Sequence, residues 1–289
     1  MNIVYMNGGL GNQMFQYIFF RWLEINSGEK CVIDNAPFYL DNVPHNGYEL
    51  NKIFGLKPAM LSDMFDEDIW QYMLNLRENG SWGVAQQLLN AGRPIVVIRE
   101  HHDTPNLKFN GQIIVDDELT LKINGKDLYY HGYWMGDKFF NNIDKVIRRE
   151  FKFPKIKDKI NRKYASLIEK SKIPVAIHIR RGDMAQLGRC CSPDYFYKVI
   201  EYLEKIGQID KYFLFSDDLK WCADNAESLG LSLIRDKLIN ISGNSGDTAY
   251  RDMQLMSMCR HRISDRSSFS LMAGCLCPYD NKQEINNWR

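Results

Sequence analysis

The chain has 289 residues, 45% of them apolar and 25% charged. That is ordinary globular composition and excludes disordered, collagen-like and coiled-coil readings. Thirty-seven basic residues against 36 acidic ones leave a net charge of +1, so no nucleic-acid partner is expected.

The N-terminus lacks a signal-peptide pattern, and no stretch approaches the roughly 18 apolar residues of a membrane helix. Seven cysteines at irregular spacing read as reduced thiols, and a cytoplasmic location is expected. Cys259, His261, Cys275 and Cys277 lack paired C-x2-C spacing, so no metal site is expected. Ile3-Val4-Tyr5-Met6 predicts a buried strand that ends in the turn Asn7-Gly8-Gly9. Gly11-Asn12 follows, then a helix over 13–26 and a strand over 31–34. Residues 35–81 are turn-rich, with a helix near 66–76. Strands are predicted over 95–98 and 129–134, the second followed by a helix over 138–149.

Residues 151–157 combine a proline with several charges and form the best boundary, dividing the chain into 1–153 and 154–289. Beyond it the rhythm is regular. Helix 158–170 precedes strand 175–179. Ser192 and Pro193 mark the N-cap and first position of helix 193–205. Strand 211–215, a helix from Asp217-Asp218 to 229, strand 231–234, helix 250–258 and strand 262–264 follow, and a last helix starts near Ser267. Alternating strands and helices predict an α/β architecture with parallel sheets, whose ligands bind beyond the carboxyl ends of the strands.

The strand ends are therefore the places to read. Gly8-Gly9-Leu10-Gly11 lets a ligand or another backbone approach closely. A dinucleotide fingerprint starting at Gly9 would need glycine where Met14 stands. Arg180-Arg181-Gly182-Asp183 offers two planar cationic forks suited to phosphate oxygens, or a solvated basic turn paired with Asp183. Ser216-Asp217-Asp218 offers a carboxylate for the N–H edge of guanine, or a helix cap; one of the two aspartates is expected to cap. Ser267 and Ser268 stand at a helix start, as an anion site or an N-cap box. Together these three ends suit a nucleoside diphosphate. No Walker sequence is present.

These residues carry a resemblance. The stretch Gly8-Gly9-Leu10-Gly11-Asn12-Gln13-Met14-Phe15-Gln16-Tyr17 resembles the opening motif of the α-1,2-fucosyltransferases, bacterial type, of glycosyltransferase family 11. Gly132-Tyr133-Trp134, His178-Ile179-Arg180-Arg181-Gly182-Asp183, Phe215-Ser216-Asp217-Asp218 and Ser267-Ser268-Phe269-Ser270 fit the same family in order. The resemblance implies a GT-B-type fold, two Rossmann-like domains facing a cleft, with the acceptor side in 1–153 and the donor side in 154–289. It implies GDP-β-L-fucose as donor and a terminal galactoside as acceptor, and an inverted α-1,2 linkage. It implies no cofactor and no metal, and a role in surface-glycan assembly with peripheral contact to membrane-bound lipid-linked glycan. By the same resemblance His178 and Asp217 would contact guanine, with Ser216 and Asp218 also in the nucleotide site. Arg180 and Arg181 would hold the diphosphate beside Ser267, Ser268 and Phe269. Gly9, Gly11, Asn12, Gln13, Tyr133 and Trp134 would line the sugar cleft. The chain departs from the family pattern at Met135, Met184, Arg266 and Leu271-Met272.

Without a metal, Arg180 or Arg181 must stabilise the charge growing on the leaving diphosphate. Asp183 is the candidate general base for the acceptor hydroxyl, or else it holds an arginine in place. The alternatives are a fucosyltransferase of another linkage, and a nucleotide- or glycan-binding homologue weakened in catalysis.

Overall fold

Apolar, β-branched runs alternate with helical segments along the chain and assemble into two five-stranded parallel sheets. The computed structural model describes residues 1–39, 45–78, 83–101, 109–115 and 119–286. The chain divides into unit 1, Met1–Lys152, and unit 2, Phe153–Arg289.

Unit 1 runs β1 (Asn2–Tyr5), α1 (Leu10–Asn26), β2 (Cys31–Asp34), α2 (Leu50–Phe54), α3 (Glu67–Glu78), α4 (Val84–Asn90), β3 (Ile95–Arg99), β4 (Ile113–Val115), β5 (Asp127–His131), α5 (Asp137–Asn141) and α6 (Asp144–Glu150). Its strand order is β2-β1-β5-β3-β4. Ile3, Val32, Val97 and Tyr129 pack beneath Trp70, Val84 and Leu88 as one core.

Unit 2 runs α7 (Lys159–Lys170), β6 (Pro174–Ile179), α8 (Gly182–Gln186), α9 (Pro193–Ile206), β7 (Lys211–Ser216), α10 (Leu219–Asp224), β8 (Leu238–Asn240), α11 (Tyr250–Met258), β9 (His261–Ser264), α12 (Ser268–Leu276) and β10 (Gln283–Asn286). Its order is β10-β9-β6-β7-β8. The chain builds outward from β6 on one side, then crosses to β9 on the other, so the topological switch lies between β6 and β9. All six residues of β6 are buried, as expected of a strand covered on both faces. Val175, Ile177, Tyr212 and Ile263 pack against Phe196, Ile200 and Leu203 of α9.

Several predicted elements shift. Helix α1 starts at Leu10, because Gly8 takes φ +78° and Gly9 already stands at the N-cap, which puts Gly11 inside the helix. The helix expected over 138–149 is two helices, broken where Ile143 leaves helical geometry at φ −133° to bury its side chain. Residues 231–234 form no strand. Leu231–Lys237 is a run of 3-10 turns that buries Leu231 and Ile234, three residues apart, and the strand is β8. Helix α10 ends at Asp224, short of 229. Helices α4 and α8 and strands β4 and β10 had no clear sequence signal.

Among the described residues, no helix is long and apolar enough to cross a membrane, and no group of three or more His, Cys, Asp or Glu side chains could hold a metal ion. All seven cysteines are free.

The edge strand β10 is anchored by a buried ion pair. Arg262, 1% exposed, reaches Glu284 with Nε–Oε2 at 2.5 Å. Gly274 of α12 leaves room for it, since a Cβ there would meet Glu284 Oε2 at 2.5 Å. Removing Glu284 leaves the buried guanidinium without its counter-ion. Glu284→Ala is expected to lower the free energy of unfolding by about 3 kcal/mol, measured by urea denaturation.

Candidate functional site

The register of unit 2 brings three strand ends to one level. His178 pairs with Phe215 on β7 and with Ser264 on β9, so the turns that follow all three strands open side by side. Beyond the last ladder bonds the backbone N–H groups of Arg180 and Arg181 need other partners. Each is met by a carboxylate from a flanking strand. Arg180 N–H donates to Asp265 Oδ2 at 2.5 Å, and Arg181 N–H donates to Asp217 Oδ1 at 2.7 Å. Gly182 follows because a side chain would collide with Asp217, whose Oδ2 would lie 2.8 Å from its Cβ. The Arg181 guanidinium stacks on Trp221 at 3.8 Å from the ring centre.

His178 is 9% exposed and lies 6.1 Å from the Phe269 ring. Burial and the charge of Arg180 depress its pKa to about 3, so the ring is neutral. Asp265, 3% exposed, is pushed up to about 7 by burial and by Asp217, against the pull of Arg180. Asp218 caps α10, accepting from Trp221 N–H at 2.9 Å, and Ser216 Oγ accepts from Asp218 N–H at 3.0 Å. Ser267 occupies the N-cap of α12, but its hydroxyl caps no helix N–H. The chain instead turns on Ser267 N–H donating to Asp265 O at 2.9 Å, and the Ser267 side chain caps none of the first N–H groups of this nine-residue helix.

In unit 1 the glycine-rich turns after β1 and β5 are held by amides and a carboxylate. Gln13 is fully buried. Its Nε2 donates to Gly8 O and Gly47 O, both at 2.8 Å, and its Oε1 accepts from Glu49 N–H at 2.9 Å. Gln16 Nε2 donates to Asn7 Oδ1 and to Gly132 O, both at 3.0 Å, tying the two turns together. One oxygen of Glu100 accepts from Tyr133 N–H at 2.8 Å and Trp134 N–H at 3.0 Å. This bond holds Trp134 at φ +56°, a backbone region costly for a bulky residue.

The Glycosyl transferase family 11 model matches residues 111–286, more than half of the chain. The chain belongs to glycosyl transferase family 11. This family 11 chain is 25% identical to an alpha-1,2-colitosyltransferase of Escherichia coli, over 94% of this chain and 86% of that protein. It is 22% identical to the O-antigen biosynthesis glycosyltransferase WbnK of Escherichia coli, over 96% and 90%. Among solved structures it is similar to POFUT1 in complex with GDP-fucose, with a TM-score of 0.50 and 12% identity over 99% of this chain and 97% of that one. It is also similar to fucosyltransferase NodZ from Bradyrhizobium, with a TM-score of 0.48 and 13% identity over 97% and 95%. The POFUT1 likeness is one of fold.

In this transferase His178, Arg180, Arg181, Ser216, Asp217, Asp218, Ser267, Ser268 and Phe269 gather at the carboxyl edge of the unit 2 sheet, next to the topological switch. The side chain of Asp183 lies outside the described residues. Two expectations for unit 1 are corrected. Gln13 does not line a cleft, because it is sealed and all its polar atoms are engaged with backbone. Trp134 is 3% exposed and stacks on Phe19 at 4.3 Å, so it belongs to the core, while Tyr133 is 36% exposed. Gly11 is buried within α1, and Gly9 and Asn12 are half-buried at its start.

Sequence reasoning passed over Asp265, Trp221 and Glu100. Asp265 stood in plain view between Ser264 and Arg266. The parallel register would have located it, since the residue after Ser264 must face the end of β6.

Gln13→Leu keeps the volume and strands two carbonyls and one N–H. It is expected to cost about 3 kcal/mol in urea unfolding, and a fully stable variant would show that these bonds do not hold the turn.

Proposed function

We propose that the chain transfers L-fucose from GDP-β-L-fucose to the 2-hydroxyl of a terminal galactoside, with inversion, in the assembly of a bacterial surface glycan at the cytoplasmic face of the membrane. The observation that carries this reading is the level row of strand ends in unit 2 within a family 11 chain. It sets two guanidinium groups, a neutral histidine, a carboxylate and an uncapped helix N-terminus side by side. Cationic forks and a helix N-terminus suit a diphosphate, and hydrogen-bond acceptors suit the N–H edge of guanine.

Breaking the bond from the anomeric carbon to the diphosphate builds oxocarbenium character on the sugar and negative charge on the leaving phosphate. Arg180 and Arg181 answer that charge, so the reaction runs without a metal. Both arginines are pre-placed, because their backbone is held by Asp265 and Asp217 before any ligand arrives. Asp183 takes the proton from the attacking hydroxyl.

A second reading concerns the donor sugar alone. The colitosyltransferase relative favours colitose, the 3-deoxy counterpart of fucose, in the same α-1,2 linkage. Incubation of the chain with GDP-fucose or GDP-colitose and a panel of β-galactosides, followed by linkage analysis, separates the two. An α-1,2-fucosyl product is expected, and a product of another linkage would overturn the assignment.

Two further outcomes test the mechanism. Arg180→Ala is expected to lower kcat by about 100- to 1,000-fold, as the loss of one pre-placed donor to a developing charge does. Chelation of divalent ions by EDTA is expected to leave the rate unchanged.

A further inference from the structure

Two buried atoms at the heart of unit 2 face each other without a hydrogen bond. His178 Nδ1 and Asp265 Oδ1 lie 3.6 Å apart, and neither has another partner. Both are sealed from solvent, yet buried polar atoms are ordinarily paired, and an exception calls for a physical reason. The other oxygen of Asp265 is engaged with the Arg180 N–H, and its backbone N–H leans on His178 O at 3.4 Å. The carboxylate therefore cannot swing away, and a small rotation of the imidazole closes the gap. The second ring nitrogen, Nε2, makes no hydrogen bond with the described residues, and with His178 9% exposed it is the nitrogen left for a ligand.

A neutral imidazole carries one proton, and the partner of one nitrogen decides what the other can do. We propose that Asp265 is a positioning residue that sets the tautomer of His178, holding the proton on Nδ1 and leaving Nε2 as a hydrogen-bond acceptor for an N–H donor on the purine base of the nucleotide. The ligand class rests on the GDP reading given above. An acceptor at Nε2 suits guanine, whose edge presents N–H donors.

The arrangement has a built-in pH dependence. His178 stays neutral throughout, because burial and Arg180 hold its pKa near the bottom of the scale. Asp265 titrates at about 7. Above that value the ionised Oδ1 accepts from Nδ1–H. Below it the protonated carboxyl donates to Nδ1, the ring proton moves to Nε2, and the outer nitrogen becomes a donor. The charged and titratable groups around Asp265 are His178 on β6, Arg180 just after it, Asp217 after β7, Cys190 before α9 and Tyr195 on α9. Glu284 on β10 is turned toward Arg262 and Ser264, and Arg266 is exposed.

The test reads the tautomer directly. Nitrogen-15 shifts of the histidine rings of the ligand-free chain distinguish Nδ1–H from Nε2–H, and His178→Gln identifies the signal among the six histidines. Nδ1–H is expected at about pH 8.5 and Nε2–H at about pH 5.5, on either side of the Asp265 titration. In Asp265→Asn the amide oxygen still accepts from Arg180 while its NH2 donates to Nδ1, so Nε2–H is expected at both values. A wild-type ring that keeps one tautomer across the range overturns the proposal whether or not the variant folds. An Asn variant with the wild-type tautomer at about pH 8.5 overturns it as well. In GDP titrations at about pH 8.5 the Asn variant is expected to bind about tenfold more weakly, the worth of one hydrogen bond. GDP affinity that ignores the switch overturns the role given to Nε2. Absence of GDP binding at every pH, with the tautomer still switching, overturns the nucleotide reading and upholds the Asp265–His178 coupling.

Discussion

Two backbone N–H groups at the end of β6 are each held by a carboxylate, Asp265 from one flanking strand and Asp217 from the other. The site depends on this clamp. Past the end of a parallel strand the chain loses its ladder partners, and an arginine there would otherwise sit on mobile backbone. Held from both sides, the backbone of Arg180 and Arg181 stays in place, and the guanidinium of Arg181 is steadied on Trp221. The clamp also has an electrostatic consequence. It sets the exposed carboxylate of Asp217 near the buried one of Asp265, and burial, helped by that repulsion, raises the pKa of Asp265 into the neutral range.

Unit 1 meets the same requirement with two buried amides and one carboxylate. Its turns after β1 and β5 are glycine-rich and irregular, and Gln13 and Gln16 supply the donors and acceptors their backbones lack. Glu100 does the same for Tyr133 and Trp134. The glycines make close approach possible, but the buried side chains beside them decide which way the turns face. The opening motif is therefore as much a structural fastening as a binding surface, and Tyr133 is the aromatic of the Gly-Tyr-Trp turn that reaches the surface.

The architecture was legible along the chain because parallel strands buried on both faces read as short apolar runs, and Pro174–Ile179 and Lys211–Ser216 are such runs. Short apolar segments are ambiguous when spacing alone must arbitrate. Residues 231–234 read as a strand, and Leu231 and Ile234 instead share one side of a 3-10 turn. Strand β10 was silent because Gln283–Asn286 is an edge strand, half-exposed and polar, fastened by Arg262 and Glu284 rather than by apolar burial.

By itself the sequence determined the α/β class and the grouping of arginines, aspartates and serines at strand ends, since these follow from composition, periodicity and position along the chain. Only the tertiary structure decided what each of those residues does. Asp218 became the cap and Asp217 the clamp, Gln13 and Trp134 turned into the core, and Asp265 came to rest against His178. The reason is that a side chain's role depends on which orphaned backbone group or buried atom lies within about 3 Å of it. That neighbour is contributed by a strand dozens of residues away.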